Sequence, residues 1–408
     1  MSYNKDLRVA IFTGCYNHIV DGVSRSLNRL VESLEKNDVP VIIFGPAGKK
    51  PAFKHHGEFV PVPSIPLPGR TEYRLTTGID MNAMSRLQAF DPTLMHIASP
   101  DWAGLQALKF AKNRNLPLVS SFHTNFASYL KYYRLKPAEK LAWKYIRWFY
   151  NQFDQVYVPT TSMREELREQ GLSCDMRLWA RGVDTKLFSP DKRNMAWRRK
   201  NGFKDSDKIL TFVSRLVWEK NLASVIDTAR TIRGENSNIK TMVVGDGPAR
   251  NEMQALMPEA KFTGFMDGAD LATAYASSDM FIFPSETETF GNVTLEALAS
   301  GLPAIVADAN GSKSLVEQNV TGFTASAKDS KKFAEYALHL AGNDDRRATM
   351  SRAARNRVTQ EYRWETINSR LIEHYREALY KPNGSFYRLN PVWQNVREPR
   401  PSEINAIA

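Results

Sequence analysis

Only two cysteines, Cys15 and Cys174, occur in 408 residues, with no Cys-x-x-Cys pair and no Cys/His cluster. That excludes a disulfide framework and a structural zinc site of the usual spacing, and it suits a reducing cytoplasm. Long apolar runs are equally scarce. Nowhere do about 18 apolar residues follow one another, so no spanning helix is expected and any membrane contact is peripheral. The opening stretch, MSYNKDLRVAIF, lacks the apolar segment of a signal peptide. Acidic residues are in deficit: 44 Asp and Glu against 55 Lys and Arg give a formal net charge of +11. Such an excess suits an anionic partner, whether nucleic acid, a nucleotide-like ligand or an acidic membrane surface. Nucleic acid is set aside, because the cations are scattered and no zinc-finger, RNA-recognition or recognition-helix signature appears.

What is present is a globular composition, 42% hydrophobic and 24% charged, in a chain long enough for two cores. Short β-rich runs alternate with amphipathic helical stretches. A first series of strands is expected at Arg8–Phe12, Val39–Phe44, Leu94–Ile97, Leu118–Phe122 and Val156–Val158. A second follows at Ile209–Val213, Thr241–Val244, Phe281–Pro284 and Ala304–Ala307, with helices around Leu222–Ile232 and Val293–Ser300. Strands separated by helices imply parallel sheets covered on both faces, hence an α/β chain of two Rossmann-like domains. Lys49–Arg74, rich in Pro and Gly, reads as an extended excursion, Arg181–Asn201 as the linker, and the stretch from Lys381 as a tail without periodicity. In such domains ligands bind beyond the carboxyl ends of the strands, which places the expected site in a cleft between the two.

The richest segment is PSETETFGNVTLEALASGLP, Pro284–Pro303. It begins where a strand ends. Gly291 permits close backbone approach, the free amides of the helix start can hold a phosphate, and Gly301 with Pro303 stops the helix. Glu288, before the helix, can bind sugar hydroxyls; Glu296, one turn inside, can accept both hydroxyls of a ribose. VSRLVWEKNL, Val213–Leu222, places Arg215 and Lys220 in a loop leading into a helix. A planar guanidinium fork and a point charge there can neutralise a diphosphate leaving group without a metal. GDGPAR, Gly245–Arg250, lacks the third glycine of a dinucleotide fingerprint, so it reads as a tight turn that brings Gly247 near phosphates. Cys15 reads as a small buried residue rather than a nucleophile. Asn125–Phe153 is dense in aromatics and cations, and two readings stand: a helix that docks on anionic lipid, or an ordinary amphipathic helix with its rings turned inward.

The pattern Glu288-x-Phe290-Gly291 followed by Glu296 resembles the signature of family 4 glycosyltransferases of the GT-B fold, as do SRLVWEKN, GDGP and RGVDTKLFSP. DGVSRSL, FHTNFASYL and RLWARGVD bring the resemblance closest to GDP-mannose-dependent α-mannosyltransferases and plant-type sulfoquinovosyl or diacylglycerol glycosyltransferases. It runs from about residue 8 to 380. It implies two Rossmann-like domains facing a central cleft: 1–185 binding acceptor, 186–365 binding the nucleotide sugar, a C-terminal helix at 366–380 packing back on the first, and a tail at 381–408. It implies a retaining, metal-independent hexosyltransferase that uses a nucleotide-sugar donor and no cofactor. Its catalytic residues would be Arg215 and Lys220 on the diphosphate, Glu288 on the transferred sugar and His123 near the reacting centre. Gly22 and Gly247 would meet the phosphates, Phe290, Gly291 and Asn292 would cap them, Glu296 would hold the ribose, and backbone at Phe265 and Met266 would meet the base. Two positions depart from the pattern: Asp21 where many members have a glycine, and Asn125 where close relatives often have Asp.

The expected reaction moves mannose from GDP-mannose to a lipid-linked or glycolipid acceptor at the cytoplasmic membrane face. A UDP-sugar-dependent diacylglycerol glycosyltransferase (glucose, glucuronate or sulfoquinovose) is the same-class alternative. A sugar-nucleotide epimerase and a non-catalytic carbohydrate-binding protein are the alternatives of another class.

Overall fold

The computed structural model describes residues 7–67, 70–123, 136–309 and 311–380. Asn125 and the expected tail lie outside the described residues. The chain forms two compact units, one of Met1–Ser121, Gln152–Gln155 and Ile372–Ala408, the other of Phe122–Asn151 and Val156–Leu371.

The N-terminal strands are β1 (Val9–Phe12), β2 (Val41–Gly45), β3 (Glu58–Pro61), β4 (Ser64–Leu67), β5 (Arg70–Thr76), β6 (Leu94–Ile97), β7 (Leu118–Ser121), β8 (Gln155–Val158) and β9 (Asp175–Leu178). Seven of them form a sheet of order β3-β2-β1-β6-β7-β8-β9, while β4 and β5 make a separate antiparallel ribbon. The second series is β10 (Lys208–Val213), β11 (Ile239–Val244), β12 (Lys261–Gly264), β13 (Met280–Phe283), β14 (Ala304–Ala307) and β15 (Gly322–Ala325). Its order is β12-β11-β10-β13-β14-β15, parallel throughout. β1, β2, β6, β7, β8, β13 and β14 are buried along their whole length, as strands of a doubly covered sheet are; β1, β2, β13 and β14 carry no polar side chain, while β6, β7 and β8 bury His96, Ser120, Ser121 and Gln155.

Two expectations change. Lys49–Arg74 is not merely an extended excursion, because it supplies edge strand β3 and most of the β4–β5 ribbon. Pro61 is tolerated because it ends an edge strand, where a missing N–H breaks no ladder. Arg181–Asn201 is not a loose linker either. It contains the helix Met195–Lys200, from which the fully buried Arg198 donates to the carbonyls of Ser277 and Asp207 and pairs with Asp279 at 3.0 Å. Arg355 donates to the carbonyls of Thr185 and Phe188 and holds the same segment from the other side.

In the first unit a buried polar triad replaces apolar packing. His96 on β6 stands 2.6 Å from the Tyr375 hydroxyl through Nδ1 and 2.8 Å from Ser121 Oγ through Nε2. Burial pulls the His96 pKa down to about 3 from an ordinary value of 6.5. The imidazole is therefore neutral in the folded chain and protonates in the unfolded chain below the ordinary value. Stability should thus be lost as pH falls from about 6.5 towards 3, by up to about 1.4 kcal/mol per pH unit from this group. We expect His96→Gln to lower Tm at neutral pH but to flatten this acid slope. Urea titrations of both proteins between pH 4 and 7 check it, and parallel slopes would remove His96 from the acid response.

Candidate active site

Ten of the expected site residues stand on loops that follow four adjacent strands, β12, β11, β10 and β13. Arg215 and Lys220 follow β10, Gly247 follows β11, and Phe265 and Met266 follow β12. Glu288, Phe290, Gly291, Asn292 and Glu296 follow β13. All four strands run the same way, so the sheet brings these residues to one end. His123 follows β7, and Gly22 belongs to the other unit, where it opens the helix Gly22–Lys36 behind its Asp21 cap.

The loops converge because glycines let backbones cross. Gly245 has φ +133°, and a Cβ there would stand 1.8 Å from the Ser214 carbonyl oxygen. Gly247 has φ +158°, with the Leu216 oxygen 2.4 Å from its would-be Cβ. The crossing is laced by Ser214 N–H donating to Val244 O and Leu216 N–H to Asp246 O, at 3.1 and 2.8 Å. GDGP is thus a tight turn lying against the Arg215 loop, as its missing third glycine implied. No side chain but hydrogen fits at either position.

Beyond that crossing, Trp218–Lys220 makes one 3₁₀ turn and Asn221 takes a left-handed conformation, φ +57° and ψ +47°. The Asn221 side chain donates to Pro284 O at 3.1 Å and to Ala327 O at 2.7 Å, tying the β10 loop to the β13 loop. This aims Lys220. Its ammonium bonds Glu288 Oε1 at 2.6 Å and Thr287 Oγ1 at 3.2 Å, with both charged side chains about four-fifths covered. Among the described residues Arg215 pairs only with Glu219, at 3.0 Å and well exposed, an arrangement that costs little to exchange for another anion.

The helix Asn292–Ala299 starts at Gly291, φ +96°, with no side chain capping its amides. A Cβ on Gly291 would meet Ser312 Oγ at 2.7 Å, and one on Gly311 would meet the Glu288 carbonyl oxygen at 2.5 Å. The helix start thus presents amides and a positive dipole end toward the Lys220–Glu288 loops, a seat for phosphate. Phe290 is buried 6.3 Å from the Tyr362 ring and anchors the turn. Glu296 receives the Tyr275 hydroxyl at 3.4 Å. Burial, and then the charge of Glu296, push the Tyr275 pKa up, so it stays a donor. Met266 packs partly against the core while Phe265 is exposed.

His123 is buried, edge-on to Trp179, with Nδ1 2.9 Å from Arg181 Nη2. A guanidinium only donates, so Nδ1 accepts and the ring proton sits on Nε2. In the other unit Cys15 is half-buried, not buried as expected; desolvation and then Asp21 push its thiol pKa up, so it holds its proton at neutral pH. Among the described residues no group of three or more His, Cys, Asp and Glu is arranged to hold a metal ion. Sequence reasoning missed Asn221, Thr287, Tyr275, Gly311 and Arg181. Asn221 and Gly311 carried a legible signal, an Asn or Gly just before a helix; the others work through contacts distant in sequence.

Two parallel Rossmann-like sheets, with this collection of loops at the carboxyl end of one of them, are the GT-B architecture. The fold neighbours agree: Anabaena HepE in complex with UDP superposes with a TM-score of 0.73 at 19% identity, covering 91% of this chain and 100% of that one. Sucrose-phosphate synthase from Thermosynechococcus elongatus gives 0.72 at 19% identity, covering 91% and 98%. Residues 20–187 match the family described as Glycosyltransferase Family 4, and residues 194–357 that described as Glycosyl transferases group 1. A GDP-mannose-dependent alpha-mannosyltransferase of Corynebacterium glutamicum is 32% identical over 384 residues, 93% of this chain and 91% of that protein. One of the same description from Mycobacterium tuberculosis is 34% identical over 376 residues, 90% and 96%. The sulfoquinovosyl transferase SQD2 of Arabidopsis thaliana is 28% identical over 391 residues, 93% and 75%. The chain belongs to the family 4 glycosyltransferases and is a hexosyltransferase of that family.

The glycine crossing yields a direct expectation. Gly245→Ala should cost several kcal/mol, because its φ and the Ser214 oxygen both oppose a side chain, and should leave little folded protein. Ala at Gly234, where nothing stands within 4 Å of the added Cβ, should be neutral or slightly stabilising. Thermal unfolding of the pair checks this, and equal Tm values would refute the crossing.

Proposed function

We propose that this enzyme moves mannose from GDP-mannose, with retention of configuration, to a hydroxyl of a lipid-linked or glycolipid acceptor. The observation that carries this reading is the Lys220–Glu288 pair beside an uncapped helix start, in a chain whose full-length similarity is to GDP-mannose-dependent enzymes. The first domain, to about residue 185, would hold the acceptor and the second, to about 365, the donor. Arg215 and Lys220 neutralise the departing diphosphate and do the work a metal ion would otherwise do. The amides from Asn292 onward, with Gly291 and Phe290 shaping the turn, hold its oxygens, and Gly247 and Gly22 allow close backbone approach. Glu296 takes the ribose hydroxyls, and backbone at Phe265 and Met266 meets the base. Glu288 accepts from hydroxyls of the transferred sugar, and His123 donates to that sugar through Nε2–H. The acceptor attacks from the face the diphosphate leaves, and the leaving phosphate oxygen takes the acceptor proton.

Similarity to SQD2, and 27% identity over 314 residues to an alpha-monoglucosyldiacylglycerol synthase of Streptococcus pneumoniae, support a second reading: a UDP-sugar donor and diacylglycerol acceptor. Thermal shifts separate the two. A cognate donor at about 100 times its Kd adds about 2.7 kcal/mol of stability, and the GDP sugar should give the larger shift. Lys220→Ala and Glu288→Ala should each lower transfer of labelled mannose to a lipid extract by about 10²–10³-fold. Wild-type rates in both would overturn the site, whereas interconversion of the sugar nucleotide without transfer would point to an epimerase.

We also propose that the helix Lys136–Tyr150 meets an anionic membrane. Of its described side chains, Trp143, Ile146 and Phe149 turn inward, while Lys140, Leu141, Lys144 and Trp148 are exposed at helical spacing. Leu141→Asp with Trp148→Ala should weaken flotation with anionic vesicles several-fold. Unchanged flotation would leave the helix an ordinary amphipathic one.

A further inference from the structure

At the amino end of the second sheet, opposite the Arg215 and Glu288 loops, the second unit holds a cavity of about 190 Å³. Asp279 and Pro303 in its wall stand immediately before β13 and β14. Ser300 and Gly301 reach it from the end of the helix Asn292–Ala299. Asp344, Arg347 and Ser351 reach it from the first turns of the helix Asp344–Glu361. Gly301, φ +77°, has room for hydrogen alone, since a Cβ would stand 2.9 Å from Pro190 Cγ and from Ser351 Oγ, both in the same wall.

Cations outnumber carboxylates around this cavity. Arg193 pairs with Asp279 at 2.8 Å, and Arg198 pairs with the same carboxylate at 3.0 Å. Ile209 N–H donates to it as well, at 2.8 Å. Arg347 pairs with Asp344 at 2.6 Å, and Lys208 with the same carboxylate at 3.0 Å. Four cations thus share two carboxylates, which leaves two positive charges in excess. Asp191, beside the wall residue Pro190, does not cancel them, because Arg355 lies within electrostatic reach of it.

The backbone carbonyls nearby are already bonded. Those of Ala276 and Ser278 accept from Arg193, and that of Leu340 accepts from Arg347. At the end of the helix Asn292–Ala299, the carbonyls of Glu296, Ala297 and Leu298 accept from the amides of Ser300, Leu302 and Gly301. Ala299 O accepts from Arg355 at 2.8 Å, so the negative end of that helix is answered. Donors are left over. A guanidinium carries five N–H groups, of which Arg193 makes three bonds and Arg347 two. The Ser300 hydroxyl, buried in the same wall, has no partner among the described residues. Spare donors with two positive charges in excess fit a dianion, and guanidinium forks match the oxygens of a phosphate.

We propose that this cavity binds a small phosphate dianion, either free or as the monoester of a small sugar, between Arg193 and Arg347. The site is separate from the loops that hold the donor. The helix Asn292–Ala299 has the proposed diphosphate seat at its start and this cavity at its end, about 12 Å apart at 1.5 Å per residue. A phosphate here therefore does not compete with the nucleotide. The site depends neither on which sugar is transferred nor on the acceptor, so it can stand or fall apart from the proposed reaction.

The test titrates the full chain with inorganic phosphate and with mannose 6-phosphate, each with and without saturating GDP, at one ionic strength set with potassium chloride. Either ligand at about ten times its Kd should raise Tm by about 2 °C, and GDP should leave that rise in place. Ala348 is an exposed residue of the wall. Ala348→Glu, which sets a carboxylate there, should weaken binding about tenfold, whereas Ala348→Gln, of the same size, should weaken it by less than about threefold. Both should keep the wild-type Tm without ligand. Arg193→Gln should also lose about tenfold in affinity, and if it folds poorly the Ala348 pair carries the readout. Mannose 6-phosphate binding about tenfold tighter than phosphate would uphold the site with the ester as its ligand, and equal binding would uphold it for the free ion. No rise in the wild type would overturn the proposal. So would a rise that GDP abolishes, which puts the phosphate on the donor loops, or one that Ala348→Glu leaves intact.

Discussion

A carbonyl oxygen sets the geometry at the carboxyl end of the second sheet. Ser214 O lies so close to Gly245 that a side chain there would begin 1.8 Å away, and Leu216 O presses on Gly247 in the same manner. Every later feature of that end depends on this crossing. It lets the β11 turn lie against the β10 loop, and from there Asn221 reaches Pro284 and Ala327. With the β10 loop tied to the β13 loop, Lys220 is held 2.6 Å from Glu288. Gly311 repeats the device on the other side, where a Cβ would strike the Glu288 carbonyl. Two cations and two carboxylates, far apart in sequence, are thus set by backbone contacts that tolerate hydrogen alone.

The Lys220–Glu288 pair is informative because it is covered. Two charges taken from water at that depth cost more than an exposed pair returns, and removing one partner strands the other. Such an arrangement is a poor way to gain stability. It is a good way to keep a cation and a carboxylate preset in one place, the cation able to exchange its partner for another anion and the carboxylate to accept from neutral donors instead. Arg215 differs: its exposed pairing with Glu219 is weak, so it can turn toward an anion at small cost. One cation preset and one free to move is an economical division for a group that must meet a ligand and then let it go.

How much of this could be read beforehand follows from burial. All nine strands expected from the sequence are interior strands of the two sheets, and the four strands of those sheets that escaped notice, β3, β9, β12 and β15, are the four edges. Interior strands such as Met280–Phe283 are covered on both faces and must be apolar throughout, which is a pattern legible in one sequence. Glu58–Pro61 and Asp175–Leu178 are exposed at their ends and bury one residue each, so they carry too little pattern to be told from loop. Site residues divide in the same manner. Glu288, Gly291 and Glu296 share one local run with a helix start inside it. Tyr275 and Arg181 act only through partners that the fold delivers, Glu296 and His123, and no local pattern marks them.

The two units finish the carboxyl ends of their sheets with different chemistry. In the second, the loops after β10, β11 and β13 carry glycine, charge and open amides, the groups that a diphosphate and a sugar can bond. In the first, Asp21, Asp80 and Asp101 each cap a helix start by accepting from one amide, at Ser24, Ala83 and Gly104. Each of these caps stabilises its helix by about 1 kcal/mol. The other first-turn amides of the Gly22 helix stay open, so that start can still approach a phosphate as the proposed reaction requires, whereas the Gly291 start offers its amides with no side-chain cap at all.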